Sequence, residues 1–157
     1  MAAPSPTARS TPGALPLRDG FGTMITFGDD SDISVWEKAT TPPGVDGGDP
    51  VDTTTFHNTA YRTKWPRQLK EHTDISMRVA YAGEVRTQIE ALVNVNDEIT
   101  VTYPDGTTDA FWGYLRSFTP QECADGSQPE ADIVVVVTNT DASYAEQGPA
   151  MVAVTGT

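Results

Sequence analysis

Two histidines, one cysteine and two short runs of aspartate are the residues of this chain whose types suit metal or nucleophilic chemistry. His57 and His72 stand in neither an HxxxH nor an HExxH spacing, so nothing places two imidazoles on one metal. Cys123 lies in Gln121-Glu122-Cys123-Ala124-Asp125-Gly126, where acidic neighbours work against the thiolate that a nucleophile needs. As the single cysteine it also excludes an intramolecular disulfide and a cysteine-rich metal cage. Asp29-Asp30-Ser31-Asp32 and Asp46-Gly47-Gly48-Asp49 set carboxylates in loops, as calcium sites do, but neither has EF-hand spacing. On an acidic chain they read as solvated turns. Neither run has an aromatic platform beside it in sequence for paired-carboxylate glycosidase work. A GxSxG elbow, a Walker loop and a GxGxxG turn are all missing. The expectation is no catalytic residue, no metal and no cofactor.

The charged residues say more about partners than about reactions. Ten Lys plus Arg against twenty-two Asp plus Glu give a formal charge of −12, which disfavours a conventional nucleic-acid binder. Arg62, Lys64, Arg67, Lys70, Arg78 and Arg86 fall within one 25-residue window, whereas Arg116 is the only cation after Arg86, among eleven acids. Opposite patches on identical copies can meet head to tail, so this segment, with Trp65 inside it, is a candidate subunit contact. A solvated loop with scattered salt bridges is the other reading.

The elements that position these residues are mostly strands. The chain has 157 residues, 38% hydrophobic and 20% charged, enough for one domain with part of its length in loops or tails. Residues 1–20 carry Pro4, Pro6, Pro12 and Pro16 and have no apolar run long enough for a signal-peptide core or a membrane span, so they read as a soluble, flexible arm. Thr23 to Phe27 and Ile33 to Ala39 read as two paired strands about a turn at Gly28 to Asp32. Residues 40–50, with three prolines and three glycines, read as an extended exposed loop. A strand could resume at Val51 to Phe56. The order of Tyr61 to His72, broken by Pro66, is left open.

The second half is clearer. Asp74 to Tyr81 alternates, with Ile75, Met77, Val79 and Tyr81 on one face. Residues 84–93 switch to helical spacing at Val85, Ile89 and Leu92, with Gly83 as N-cap. Glu98 to Tyr103, the turn Pro104-Asp105-Gly106 and Asp109 to Phe118 predict a β-hairpin, since Gly106 accepts the left-handed corner. In its return arm Phe111 and Leu115 project one way, while Trp112, Tyr114 and Phe118 project the other. That aromatic group reads as core plus subunit interface, with a sugar-binding face as the competing reading. Asp132 to Asn139, with Ile133 to Val137 unbroken, reads as a strand covered on both sides, one of them by a neighbouring copy. Residues 141–157 read as a second arm. The resulting fold class is mainly β: an antiparallel β-sandwich or partial barrel of about six strands with one short packed helix, residues 21–140 forming the single domain.

The order of these segments resembles a known family. Glu98-Ile99-Thr100-Val101-Thr102-Tyr103-Pro104-Asp105-Gly106-Thr107-Thr108, continuing through Phe111-Trp112-Gly113-Tyr114-Leu115-Arg116-Ser117-Phe118, is similar to the hairpin of major tail tube proteins of long-tailed, siphovirus-like bacteriophages. An acidic turn and the valine strand ending in Thr138-Asn139 follow in the same order, and Gly22 to Phe27 resembles the start of a tube subunit. The resemblance covers about residues 20–140, least well over 40–73. It implies a structural virion protein in the phage tail, assembled in the host cytoplasm, with hexameric rings stacked through loops and terminal arms. Its partners would be itself and other tail proteins at the tube ends, with phage DNA passing unbound and no membrane involved. Barrels of about 16 to 18 strands already leave a channel, so a ring of about 24 would enclose a wider one. Arg62, Lys64, Trp65, Arg67, Lys70, Trp112, Tyr114 and Phe118 are then the expected interface residues. Glu98, Thr100 and Thr102 are the expected lumen-facing set. Two other function classes stand beside this one: a monomeric acidic β module of an adhesin or enzyme appendage that binds carbohydrate or calcium, and a small carboxylate hydrolase.

Overall fold

The computed structural model of the protein describes residues 22–28 and 36–152. The arm expected at 1–20, the aspartate run 29–32 and residues 153–157 lie outside the described residues. Eleven strands are present among them: β1 (Met24–Phe27), β2 (Trp36–Thr41), β3 (Val45–Asp46), β4 (Val51–Asp52), β5 (Lys64–Trp65), β6 (Glu71–His72), β7 (Ile75–Ala80), β8 (Asp97–Thr102), β9 (Thr108–Pro120), β10 (Glu130–Val137) and β11 (Ala150–Val152). A 3-10 turn at Gly83–Val85 leads into the α-helix α1 (Arg86–Ala91). No described helix is long and apolar enough to cross a membrane.

One antiparallel sheet runs β1-β8-β9-β10-β7-β2, with β11 added to β9. It wraps around a single core. Ile25 and Phe27 from β1, Ile75, Met77 and Val79 from β7, Ile99 and Val101 from β8, Phe111 and Leu115 from β9, and Ile133, Val135 and Val137 from β10 form one buried cluster with Ile89 of α1. Each such side chain contributes about 1.5–3 kcal/mol when fully buried, so the inward stripe of each strand is what holds the curl. The two edges come close enough for the Glu37 Oε1 to accept the Ile25 N–H at 2.8 Å, a side chain bridging the gap where a ladder would otherwise run. The mainly β, antiparallel fold class with one short helix read from the sequence is therefore what the chain adopts.

Several local expectations need correction. β1 and β2 do not pair: β1 lies on β8 and β2 on β7, so the two segments are the opposite edges of the sheet. The α-helix is only six residues, preceded by a 3-10 turn that begins at Gly83, and its N-cap is not Gly83 and makes no side-chain bond. Burial of Ile89, with Val85 and Leu92 packed beside it, holds this short helix, since six residues do not persist alone in water. β10 alternates between buried and half-buried positions, so Val134 and Val136 are only partly covered within the chain. Phe118 does not share a face with Trp112 and Tyr114. The ladder between β9 and β10 slips at Val134/Val135, and beyond it Phe118 faces the core residue Ile133 and meets the Tyr81 ring edge-on at 5.3 Å.

The hairpin at Pro104-Asp105-Gly106 forms as expected, Gly106 taking φ +88 while its N–H donates to the Tyr103 carbonyl at 2.9 Å. The segment expected as a loop at 40–50 is one side of a long hairpin. Thr41 faces Ser76, Val45 faces His72 and Val51 faces Trp65, so register is held to within one residue from base to tip. Pro42 and Pro43 interrupt one side and Pro66 the other, because proline has no N–H for the ladder. Within 141–157, β11 pairs with Thr108–Ala110 of β9 and so belongs to the sheet.

Candidate assembly interface

The distal part of this hairpin, residues 42–74, contains no buried residue. It nevertheless has a defined shape, built by polar contacts. At the base the Gly44 N–H donates to Thr73 Oγ1 at 2.7 Å, the Thr73 N–H donates to the Gly44 carbonyl, and His72 Nδ1 meets Asn139 Nδ2 of the body at 3.1 Å. Midway, Arg67 Nε donates to the Asp49 carbonyl at 2.7 Å. At the tip the Asn58 side chain accepts from the Thr55 N–H at 2.8 Å and donates to the Tyr61 carbonyl at 2.9 Å. Asp52 accepts from the Thr54 N–H at 2.9 Å and faces Arg62 at 3.6 Å, and the Thr54 hydrogen bonds hold its carboxyl below the usual range.

This arm presents apolar side chains to solvent. Val45, Val51, Phe56, Tyr61, Trp65 and Leu69 are six of the twelve large hydrophobic residues that are exposed among the described residues, so half of these side chains are gathered on one projection. The expected interface residues Arg62, Lys64, Trp65, Arg67 and Lys70 all lie here. The apolar members other than Trp65 were not singled out by sequence reasoning; Tyr61 and Leu69 stand among the cations of Tyr61 to Lys70, whereas nothing in the sequence marked Val45, Val51 and Phe56.

Trp112 and Tyr114 lie elsewhere, half-buried on the outward face of β9. Glu98 stands directly across from Trp112, and Thr100 and Thr102 follow on the same outward face of β8. The residues expected at an interface and those expected toward a lumen thus share one sheet face. Phe118 is turned away from it. Val134 and Val136 of β10 extend this face, Val136 lying opposite Tyr114.

The candidate calcium ligand Asp46 uses its Oδ1 to accept the Gly48 N–H at 2.8 Å, closing a turn. No group of three or more His, Cys, Asp or Glu is arranged to hold a metal among the described residues. Cys123 is exposed in the loop between β9 and β10.

No family model matches this chain, and no curated protein matches it in sequence. Solved structures do match in shape. A chain from the virion of a native gene transfer agent particle superposes with a TM-score of 0.61 at 12% identity, covering 87% of this chain and 100% of that one. A chain from the tail of an empty gene transfer agent particle, refined with C6 symmetry, gives 0.52 at 12% identity over 76% and 84%. A chain of the six-fold symmetrised baseplate of the anti-feeding prophage gives 0.52 at 9% identity over 85% and 92%. This chain shares their fold. The likeness spans nearly the whole of each of those chains, so it covers the curled sheet and is not confined to a single hairpin.

Proposed function

We propose that this chain is the repeating subunit of a phage-like tail tube, in which copies close into six-fold rings and the rings stack. The observation that carries this reading is the arm: a 33-residue projection with no buried residue that concentrates half of the bare large apolar side chains among the described residues. An isolated hairpin is marginal in water, and a gathered apolar patch rimmed by charge marks a surface that another protein covers. Arg62, Lys64, Arg67 and Lys70 give that patch a cationic rim on a chain whose formal charge is −12. The complementary partner is therefore the acidic body of another copy, in a head-to-tail contact that repeats without limit along one axis.

The outward face of β8, β9 and β10, with Glu98, Thr100 and Thr102, is the surface assigned to the lumen and to lateral neighbours. An acidic channel carries DNA without holding it, because like charge removes the phosphate contacts that give affinity. The shared fold with chains of two tail-type assemblies of six-fold symmetry supports the ring number. Negative-stain microscopy of purified full-length protein, alone and with tail-end proteins added as nucleators, tests the reading. Rings or tubes of uniform width are expected, and a population of single chains under both conditions overturns it.

A further inference from the structure

On the arm, Val51, Trp65, Pro66 and Leu69 wall an open cleft of about 450 Å³, within the roughly 300–1,000 Å³ of ordinary binding sites. Thr53, Gln68 and Arg67 complete its lining, so the only charge in the wall is a cation. Arg67 donates from Nε to the Asp49 carbonyl and forms no ion pair among the described residues. Its guanidinium is therefore held at the cleft with donors left over.

Elsewhere the chain carries a side chain suited to such a cleft and leaves it bare. Tyr144 is 91% exposed, the most exposed large hydrophobic residue outside the arm among the described residues. The turn beneath it is firmly built: Asp141 Oδ1 accepts from the Ser143 N–H at 2.8 Å, the Ser143 hydroxyl at 2.7 Å and the Ala145 N–H at 3.0 Å. The Gln147 N–H closes it on the Asn139 carbonyl at 2.8 Å. Tyr144 itself takes φ +64, left-handed backbone that glycine or asparagine adopts at less cost than tyrosine. An aromatic ring is thus fixed in solvent where the backbone alone would favour a smaller residue, and a ring on a fixed turn loses little freedom on docking.

Charge and position both fit the ring to the cleft. Asp141 and Glu146 flank Tyr144, and no cation follows Arg116 in the sequence. The Ser143 hydroxyl, followed by the Ala145 N–H, holds the Asp141 carboxyl below its ordinary range, so this acid stays charged toward a guanidinium. The turn starts at Asn139, whose side chain meets His72 at the base of the arm, whereas the cleft lies farther out, where Val51 faces Trp65. Ring and cleft are different surfaces of one chain, offset along the arm, so a contact between them on separate copies runs head to tail and repeats.

We propose that Tyr144 of one copy seats in the Trp65 cleft of the next, its ring on the indole and Arg67 toward Asp141 and Glu146. The proposal rests on the tube reading and names the contact between successive rings.

Mixing two variants tests the pairing. Tyr144→Asn removes the ring and suits left-handed backbone, so by calorimetry it should melt no lower than the wild type while failing to lengthen into tubes. Trp65→Asp spoils the cleft and keeps Tyr144. Neither variant should grow alone, and the two together should give particles of about twice the mass of either and no longer ones, because one intact ring-and-cleft contact joins them and both outer faces are defective. Light scattering and negative-stain microscopy read this out. Wild-type-length tubes from Tyr144→Asn overturn the pairing and leave the tube reading standing, as does a mixture that stays at the mass of its separate components while the wild type forms tubes. A clear drop in the melting temperature of Tyr144→Asn makes the ring a support of its own fold and also overturns the proposal. Single chains from the wild type with tail-end nucleators present overturn the tube reading and this contact with it.

Discussion

A Cβ at Gly113 would stand 2.5 Å from the Val136 carbonyl oxygen, and that oxygen belongs to a strand paired with Gly113's own, so it has no room to withdraw. Gly113→Ala is therefore expected to destabilise the fold by about 1–3 kcal/mol, the usual cost of forcing a methyl group into a packed core. Urea unfolding checks it: the midpoint should fall with no change in slope. Asp109 supplies a second residue-scale prediction. It lies on the same side of β9 as Phe111, half-buried, and burial raises its carboxyl above the ordinary value of 3.8, with His72 opposing the shift. A raised folded value means that the native state keeps this proton to higher pH than the unfolded chain does. Its contribution is most favourable below 3.8 and is lost as pH rises through the folded value. Asp109→Asn should thus melt higher than the wild type at neutral pH and together with it at about pH 3, where both side chains are uncharged. A wild type that melts higher at neutral pH would show that the carboxylate is stabilising.

At the scale of elements, the body and the arm obey different physics, and their legibility in the sequence differs accordingly. The body follows alternation: Ile75, Met77 and Val79, then Ile99 and Val101, announce their buried faces by spacing alone. The Pro104-Asp105-Gly106 turn is equally plain because left-handed backbone demands glycine. What alternation does not carry is partner choice, so two adjacent runs that looked like a hairpin are opposite edges of the sheet. Nor does it carry the bulge that turns Phe118 inward, since one extra residue reverses every face beyond it. The arm has no buried face to leave a periodic trace. It is held by Asn58, Thr73, Asp52 and Arg67 acting on backbone groups, and its prolines and glycines imitate a loop. Its cluster of cations was visible by composition, but their gathering on one projection required the ladder. Replacing residues 47–70 by an Asn-Gly turn should leave the body's melting temperature within a few degrees, because no core residue is removed, and should abolish assembly. Calorimetry and light scattering separate the two effects. A large drop in melting temperature would show that the arm supports the body.

At the scale of the whole molecule, a curled sheet with one core leaves two kinds of surface unsatisfied: the apolar arm and the half-covered outward face with Trp112, Tyr114, Val134 and Val136. In the proposed tube, identical neighbours would cover both, one along the axis and one around it. On that proposal Arg62, Lys64, Arg67 and Lys70 of the arm meet acids of the neighbouring copy, although Asp46, Asp49, Asp52, Glu71 and Asp74 stand on the same projection. Exposed ion pairs such as Arg78–Asp132 and Arg116–Asp74 contribute little to a single subunit, about 0–1 kcal/mol each, so assembly draws mainly on apolar cover, with charge setting polarity. Raising salt should accordingly slow ring-to-ring growth while leaving finished polymers intact, which time-resolved light scattering would follow. The central claim is self-assembly through the arm, and electron microscopy of Trp65→Asp beside the wild type addresses it most directly. Six-fold rings stacked into tubes from the wild type, with single rings or single chains from Trp65→Asp, are the predicted result. Tubes of equal length from both proteins, or single chains from both even with tail-end nucleators present, would contradict it.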